Sequence, residues 1–500
     1  DYQPGELVRY RCTILSRFGL TAGPDAPVRF QLLDPTNAPV VTSQTVAQQG
    51  VALGEFRLPA DARPGQYSLS AASVDGAFLP QRASLMVRQP DPARLLKELE
   101  LTRNSYLPGQ TLVAHLSVRR SDQSPCAGAP LVIAATVDDK LIHQSRGKTS
   151  DLGTFRIQIP LPAEMTRGDG ELSVSIEEAG TRETITRPIP LYHTRIEVDF
   201  FPEGGELVAG LENRVYFAAR DSRGKPIAIT GRILDGGGRV AARLASTHAG
   251  MGTFALEPRA GEHYRLVVDQ PSGVLSQPRL PEVSTTAAVV LTAGLGVFGP
   301  GRALEFNVRA AEPGIPLVAS AWCRGAFVGQ KAVVTQSNAN SVSIPLADEV
   351  CGVIRLALHD YRFSPPRLAA QRLVYRRPLR RLVLQWSDPS LHYSPGETAE
   401  LCLSVTDENN QPAPAALAVS AVDPRAAEGH DGCASAMIGR FLLGDEIAQR
   451  LQKLPNADFY LSGDPKAGAA LDLLLGTQGS GRAPDKPLAA VRQGLSLIHI

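Results

Sequence analysis

The 500 residues lack any run of about 18 apolar residues, the length that a membrane-spanning helix requires. They also lack a basic stretch followed by an apolar one at the amino terminus, which is the pattern of a secretory leader. We therefore predict no transmembrane helix in these residues. Both ends of the chain look interrupted, and we expect the sequence to be part of a longer protein.

The sequence also lacks an excess of charge of either sign and a dense set of cysteines. Lys and Arg total 51 against 50 Asp and Glu, which argues against a nucleic-acid partner held by its phosphates. Six cysteines in 500 residues do not make a disulfide-rich scaffold. Cys323 could pair with Cys351, and Cys402 with Cys433, because each pair falls within one repeat of the sequence.

No cluster of residues makes a convincing catalytic or metal site. The segment Gly294–Gly299 matches the G-x-G-x-x-G spacing of a dinucleotide-binding loop, but Pro300-Gly301 and the alternating sequence after it favour a strand where that loop needs a helix. His430 and Cys433 supply too few ligands for a structural zinc site. We predict a protein with no enzymatic activity, no cofactor and no metal.

What the sequence has instead is a repeated turn. An aromatic residue is followed within three positions by Pro and Gly, or by two Gly, and then by a strand pattern. Pro fixes φ at the first corner of such a turn, and Gly accepts the positive φ of the second. The copies begin at Tyr2, Tyr106, Phe201, Phe298 and Tyr393, at intervals of 104, 95, 97 and 95 residues. This near-constant interval predicts five copies of one domain.

Each copy continues with an apolar–polar alternation of period two, the mark of a strand with one buried face. Clusters of Asp, Asn, Gly and Pro separate these runs, as turns do in hairpins. A further marker, Gly-x-Phe, begins at Gly54, Gly153 and Gly252 and opens a later strand. About seven short strands per copy predict immunoglobulin-like antiparallel β-sandwiches, each with its own core.

The fifth copy departs from this pattern. In place of the Gly-x-Phe strand it has a polar stretch, Arg425–Ser435, and then apolar residues at helical spacing in Ile438–Leu451. A second helix is predicted to begin at Asp464-Pro465 and to stop at Gly476, because Asp caps a helix and Pro suits its first turn. We therefore place a partly helical insertion at residues 424–480.

The predicted fold class is all-β, with five tandem antiparallel β-sandwiches of which the last is interrupted by the insertion. The predicted domains are residues 1–89, 90–190, 191–282, 283–378 and 379–500. We expect the first domain to lack its lead-in strand and the last to be incomplete. The final residues, Leu495–Ile500, resemble a translated transposon end from a sequencing library, so whether they are native is left open.

These features together resemble the α2-macroglobulin family. The resemblance covers essentially the whole chain and is carried by three features. They are the repeated turn, the insertion after Ala421-Val422-Asp423, and a second strand that ends on Asp in four copies, at Asp34, Asp138, Asp235 and Asp423. Phe200–Gly210 and Ala470–Gly479 look especially like bacterial members built from consecutive macroglobulin-like domains. The resemblance implies macroglobulin-like sandwiches, a periplasmic, cell-surface or secreted location, and inhibition of endopeptidases.

In that family a protease cuts a bait segment, and the cut triggers a rearrangement that entraps the protease. The resemblance places this segment after Asp423, with Arg425, Arg440, Arg450 and Lys453 as candidate cleavage sites for a trypsin-like enzyme. None of the cysteines lies in the Cys-Gly-Glu-Gln thioester motif of many members. The expected partners are proteases and other domains of the same longer chain.

Two alternatives stay open. The insertion is either a bait segment or a packed helical linker between domains. The protein is either a protease inhibitor or a non-inhibitory cell-surface scaffold, which includes an adhesion protein or an accessory module of an outer-membrane transport system.

Overall fold

The computed structural model describes residues 2–478 and 494–499, apart from 24, 79, 89–94, 104–105, 164, 166–168, 179, 192–195, 222–223, 273, 275, 287, 338, 388–393, 395, 399–401, 416, 418–438, 440, 444–446 and 448–456. Its fold is all-β, as predicted, with strands that pair mainly antiparallel in β-sandwiches. The chain divides into two compact units. The first unit comprises Asp1–Pro90, Glu203–Gly205 and Ala287–Ile500, and the second comprises Asp91–Pro202 and Glu206–Thr286.

The first sandwich belongs to the first unit. Its strands are β1 (Leu7–Ser16), β2 (Pro27–Leu33), β3 (Pro39–Val46), β4 (Val51–Arg57), β5 (Gly65–Ser73), β6 (Gln81–Val87) and, from the far end of the chain, β32 (Gly494–His499). One sheet has the order β32-β1-β4 and the other β3-β2-β5-β6. The apolar row predicted in β1, which includes Tyr10, Cys12 and Ile14, is buried with Phe30 in the shared core.

The second sandwich belongs to the second unit. Its strands are β7 (Leu95–Leu101), β8 (Thr111–Arg120), β9 (Pro130–Val137), β10 (Lys140–Lys148), β11 (Thr154–Pro160), β12 (Gly170–Glu178) and β13 (Thr181–Ile189). Sheets of order β11-β8-β7 and β10-β9-β12-β13 enclose a core that contains Leu116, Ile133 and Val174. The alternation predicted in β8 is therefore the alternation between core and surface.

The third sandwich lies in the same unit. Its strands are β14 (Ile196–Pro202), β15 (Leu207–Val208), β16 (Asn213–Asp221), β17 (Thr230–Leu234), β18 (Val240–Ala245), β19 (Met251–Leu256), β20 (Arg265–Gln270) and β21 (Val283–Ser284). It has sheets of order β14-β16-β19 and β18-β17-β20 and a separate short parallel pair, β15-β21. Phe217, Phe254 and Leu266 lie in its core.

The fourth sandwich belongs to the first unit. Its strands are β22 (Val289–Thr292), β23 (Val297–Phe298), β24 (Leu304–Ala310), β25 (Pro316–Cys323), β26 (Ala326–Val334), β27 (Asn340–Ile344), β28 (Gly352–Asp360) and β29 (Arg367–Arg376). A sheet of order β22-β24-β27 packs on a sheet of order β23-β29-β28-β25-β26. Side chains along β28 are buried almost throughout, which requires cover on both faces of this five-stranded sheet.

The remaining elements follow the fourth sandwich. They are β30 (Val383–Ser387), β31 (Cys402–Thr406), α1 (Ala457–Leu461) and α2 (Ala467–Gly476). β30 and β31 form an antiparallel pair. The helix predicted to stop at Gly476 is confirmed as α2, although it begins at Ala467 and not at Pro465. The Asp464 carboxylate accepts a hydrogen bond from the Lys466 N–H at 2.7 Å, just before the first turn.

Each of the four sandwiches encloses its own apolar core. We propose that these cores mark four domains close to the first four predicted from the sequence. Two segments depart from the predicted boundaries, because β32 pairs in the first sandwich and residues 203–205 belong to the first unit. No helix among the residues described in the structure is long and apolar enough to cross a bilayer.

The repeated turn places its aromatic residue beside the last strand of the same sandwich. Tyr2 pairs in parallel with Val87, Tyr106 with Leu191, and Phe298 with Arg376. Three residues after the aromatic, a glycine with positive φ donates its N–H to a proline carbonyl, as in Gly5 to Pro59 and Gly109 to Pro162. The turn therefore closes each sandwich by joining its first and last segments.

The third copy of this turn was predicted at the wrong position. Phe201 belongs to β14 and pairs with Tyr216. The place of the aromatic is taken by Leu207, which pairs in parallel with Val283, and Gly210 donates its N–H to the Pro258 carbonyl at 2.8 Å. Residues 203–205 are thus an addition between β14 and the turn, and they belong to the first unit.

The Gly-x-Phe marker was also predicted out of register. Gly153 accepts a hydrogen bond from the central strand β8, but its equivalents in the first and third sandwiches are Gly50 and Gly250. All three have φ between +72° and +76°. A Cβ at any of them would lie 2.3–2.5 Å from a carbonyl oxygen of the central strand. This recurrent glycine is required by both its φ and its close approach.

The structure contradicts the pairing considered for Cys323 and Cys351. Both side chains are thiols, and the Cys323 Sγ donates to the Cys351 carbonyl at 3.5 Å. Cys402 is a thiol exposed to solvent, and its considered partner Cys433 lies outside the described residues.

Candidate functional site: a helical segment docked on the fourth sandwich

The described helical residues after β31 pack against the face of the five-stranded sheet that points away from the sandwich core. We call residues 441–443, 447 and 457–478 the docked segment. Ile354 and Val374 point into the sandwich, whereas their strand neighbours Val353 and Tyr375 contact the docked segment. This is the alternation expected of a strand with two buried faces.

The contact is mainly apolar. Leu471, Leu474 and Leu475 of α2 pack with Tyr460 of α1 against Tyr375. Each fully buried leucine contributes about 1.5–3 kcal/mol relative to an exposed one. α2 is buried on nearly all sides, as expected for a helix whose sequence is apolar around its whole circumference. The docked segment is therefore part of the packed structure.

One charged residue interrupts the apolar sequence of α2. Asp472 is buried, and its carboxylate accepts a hydrogen bond from Arg372 of β29. The same guanidinium donates to Glu203, in the segment added before the third turn. The three side chains, which we call the ionic cluster, are 1%, 3% and 0% exposed, in the order Asp472, Arg372 and Glu203.

Backbone groups complete the ionic cluster. The Gly296 N–H donates to Asp472 Oδ1 at 2.9 Å, and the Ala293 N–H donates to Glu203 Oε1 at 2.9 Å. The three side chains carry a formal charge of −1, so Arg372 is the counter-charge that two buried carboxylates share. Breaking such a cluster leaves a buried charge without compensation, which is why its geometry is tightly specified.

Gly296 is required by this geometry. A Cβ at position 296 would lie 2.6 Å from Arg372 Nη2 and 2.9 Å from Asp472 Oδ1. Gly296 belongs to the segment that matches a dinucleotide-binding loop by spacing. The strand predicted after Pro300-Gly301 is confirmed as β24. Within the segment itself, Val297 and Phe298 form β23, which pairs in parallel with β29.

A second arginine holds the other end of the docked segment. Arg324 Nη2 donates to the Phe441 carbonyl at 3.1 Å, and Arg324 Nη1 donates to the Arg17 carbonyl at 2.9 Å. Arg324 and Gly325 form the two-residue turn between β25 and β26 with φ of +48° and +73°. A non-glycine residue in this region costs about 1–2 kcal/mol. The contacts of the guanidinium offset that cost.

Burial shapes the chemistry of the groups around these anchors. It raises the pKa of Tyr375 and of Tyr460, so both phenols stay neutral at any physiological pH. Burial also raises the pKa of the Cys351 thiol, although the charges of Arg324 and Arg376 act in the opposite direction. The arrangement is suited to holding a segment in place.

The four candidate cleavage sites, Arg425, Arg440, Arg450 and Lys453, all lie outside the described residues. Of the ionic cluster, Asp472 on α2 lies after these sites in the chain, whereas Arg372 and Glu203 lie before them. Among the residues that the structure describes, no group of three or more His, Cys, Asp or Glu side chains is arranged to bind a metal ion.

Sequence reasoning missed all three members of the ionic cluster. A signal was present for Asp472, the lone charge in the apolar run of α2. Glu203 also stands out, because it follows Pro202 where the other turns have glycine. Arg372 gives no such signal, since arginine is common on exposed strand faces. The pairing depends on tertiary contacts across 169 residues of sequence.

No model of a known protein family matches the chain. By sequence the chain is similar to an α2-macroglobulin of Ralstonia nicotianae, with 24% identity over 186 residues that span 36% of this chain and 11% of that protein. Among solved structures it is similar to native α2-macroglobulin of E. coli, at 14% identity and a TM-score of 0.42, covering 82% of this chain and 31% of that one. A Salmonella α2-macroglobulin reacted with methylamine gives 15% identity and a TM-score of 0.39, covering 78% of this chain and 30% of that one.

The chain thus spans between 11% and 31% of the length of these relatives. The sequence match is to an α2-macroglobulin, and the chain has the successive antiparallel sandwiches, with a recurrent closing turn, that the resemblance implied. The sequence similarity supports a relationship of this chain to the α2-macroglobulins.

Proposed function

We propose that this chain is part of an extracytoplasmic protease inhibitor, in which a protease cuts the segment after Asp423 and the protein then rearranges and entraps it. The single observation that carries the proposal is the docked segment. The candidate cleavage sites lie between β31 and α2, and α2 is held on the fourth sandwich by apolar contacts and by the ionic cluster. The sequence similarity to an α2-macroglobulin supports the same proposal.

Cleavage at any of the four candidate sites would cut the covalent connection between β31 and α2. Before the cut, docking of α2 is intramolecular, and the covalent connection to β31 raises the effective concentration of α2 at its binding surface. After the cut, the remaining contacts alone would retain the docked segment. We propose that without the covalent connection these contacts are too weak, so that the docked segment dissociates from β28 and β29 and the sandwiches reorganise.

The proposal assigns the chain a binding role with no catalytic step. The protease supplies the chemistry, and the chain supplies a cleavable segment and a conformational response. The partner class is therefore an endopeptidase, in a compartment outside the cytoplasm where such enzymes meet secreted proteins.

Limited digestion tests this proposal. Trypsin at low ratio should cut the chain rapidly within residues 425–453, identified by mass spectrometry, and the hydrodynamic radius should change with the same time course. The matched control replaces the four candidate residues with glutamine, and it should resist both changes. Scattered cutting across the sandwiches, or cutting without a change in radius, would favour the scaffold alternative.

A further inference from the structure

The turn between β25 and β26 has a residue that its backbone conformation does not favour. Arg324 has a φ of +48° and precedes Gly325, which has a φ of +73°. The same hairpin turn in the other three sandwiches has residues of positive φ that tolerate it, namely Asn37, Asp138, Asp139 and Gly238. In the fourth sandwich a long cationic side chain takes this place. The contacts of that side chain are therefore the reason to look for a role.

The Arg324 guanidinium bridges two segments that are remote from it in sequence. Its Nη2 donates to the Phe441 carbonyl at 3.1 Å, in the docked segment. Its Nη1 donates to the Arg17 carbonyl at 2.9 Å, in the loop between β1 and β2. Both acceptors are main-chain groups, so these contacts depend on where the two segments lie. One side chain thus contacts the docked segment and the first sandwich at the same time.

The loop between β1 and β2 is seated on the fourth sandwich. We call residues 17–20 the seated loop. The Phe18 ring packs against the core of the fourth sandwich, and the Phe18 carbonyl accepts a weak hydrogen bond from the Cys351 thiol at 3.5 Å. A Cβ at Gly352 would lie 2.7 Å from Arg324 Nη2 and 3.0 Å from the Leu442 carbonyl oxygen. The seated loop and the docked segment therefore converge on one place in the fourth sandwich.

A shared guanidinium couples its two contacts. Ordering an arginine side chain costs rotamer entropy, and the guanidinium itself is a rigid, planar group. A side chain that one carbonyl has ordered is already placed for the other, so the second contact does not incur that cost again. When the docked segment leaves, the guanidinium loses the Phe441 carbonyl and the strain of the turn remains. The seated loop is then held less tightly.

We infer that Arg324 is a coupling residue, through which the docking of residues 441–443 and the seating of residues 17–20 stabilise each other. The state of the docked segment is thereby transmitted to the first sandwich. Such coupling is reciprocal, because each contact changes the equilibrium of the other by the same factor. The inference concerns the intact chain and is independent of the proposed inhibitory function.

Hydroxyl-radical footprinting of the Phe18 ring, measured by mass spectrometry, tests the inference in the full chain. Leu443→Asp should undock residues 441–443, because Leu443 is 2% exposed and a carboxylate buried in its place would be unpaired. Oxidation of Phe18 should then rise by about threefold or more, as expected when a half-buried ring becomes exposed and the coupling factor lies in its usual range of about 5–150. Arg324→Asn should raise it similarly, although asparagine suits the turn better.

The double variant distinguishes coupling from two independent effects. In the Arg324→Asn background, Leu443→Asp should cause no further oxidation of Phe18, because the link between the two segments is already removed. Gly463→Asp places the same charge at an exposed position of the docked segment and should leave Phe18 as in the unaltered chain. Phe30, in the core of the first sandwich, should stay protected in every variant.

Three results would overturn the inference. The first is that Leu443→Asp leaves the oxidation of Phe18 unchanged. The second is that Leu443→Asp raises it by the same factor with Arg324 and with asparagine at position 324, because the two segments would then respond without the guanidinium. The third is that Phe30 becomes oxidised together with Phe18, because the first sandwich would then have unfolded as a whole.

Discussion

Replacing Arg372 with methionine should destabilise the fourth sandwich more than any other change to the ionic cluster. The substitution keeps an unbranched side chain and removes the guanidinium that Glu203 and Asp472 share. Two buried carboxylates then face each other without it. Replacing Asp472 with asparagine should cost less, because Glu203 and Arg372 remain as a balanced pair and the amide oxygen still accepts the Gly296 N–H.

The magnitudes follow from the burial of the cluster. Removing one partner from a buried ion pair costs about 3–5 kcal/mol. Losing a hydrogen bond to a charged group, the case of Asp472→Asn, costs about 1.5–3 kcal/mol. With a slope of about 2 kcal/mol per M urea, the Arg372→Met variant should lower the unfolding midpoint by about 2 M.

The chain offers a local probe for this measurement. Its two tryptophans are Trp322 on β25, within the same five-stranded sheet as Arg372, and Trp386 on β30, which is 58% exposed. In a background with Trp386→Phe, intrinsic fluorescence reports on the fourth sandwich alone. Urea titrations of each variant in that background give the change in unfolding free energy.

A triple variant supplies the control. Glu203→Gln, Arg372→Met and Asp472→Asn together remove all three charges and keep oxygen acceptors for the Ala293 and Gly296 N–H groups. It should recover most of the stability lost in Arg372→Met, because an uncharged buried cluster carries no unpaired charge. The reasoning is refuted if Arg372→Met stays within about 1 kcal/mol of the parent, or if the triple variant is no more stable than Arg372→Met.

Three further outcomes are expected. Gly296→Ala should lower the unfolding free energy of the fourth sandwich, measured by Trp322 fluorescence, by about 1–3 kcal/mol, because a Cβ at position 296 would clash with the ionic cluster. An unchanged urea midpoint would contradict this. Burial acts to raise the pKa of Asp360, but the hydrogen bonds and charge of Arg362 outweigh it and hold that pKa below its ordinary value. The stability from this pair is therefore present above the ordinary carboxyl pKa and is lost as pH falls through the lowered pKa of Asp360. Asp360→Asn should cost about 1 kcal/mol of unfolding free energy at neutral pH and nothing in strong acid. Urea titrations at neutral and acid pH measure both values. Iodoacetamide at pH 8 should label exposed Cys402 within minutes and spare Cys12, whose pKa burial raises to about 12, and peptide mapping that finds equal labelling would contradict this.

The sandwich fold was predictable because its signals are local. The alternation in β1 and β8 marks residues that face the core, and a proline–glycine turn constrains φ whatever surrounds it. The helix that ends at Gly476 was predictable for the same reason. Its start was misjudged by two residues, because Asp464 caps from a turn that precedes the helix proper.

The wrong position predicted for the third turn shows where prediction from local sequence fails. Phe201-Pro202-Glu203 has the composition of a closing turn, but the parallel pairing with the last strand decides which residues form it. That pairing belongs to Leu207, which no composition rule distinguishes from other leucines. The same limit concealed the ionic cluster, whose members are separated by 169 and 100 residues of sequence.

The central claim is that α2 of the docked segment responds to a cut in the chain before it. Hydrogen exchange of residues 467–476, measured before and after limited trypsin digestion, tests it most directly, with the four-site glutamine variant as the uncut reference. The account predicts strong protection of α2 in the intact chain and faster exchange, by about tenfold or more, once residues 425–453 have been cut. Equal protection of α2 in the cut and intact chains would contradict it.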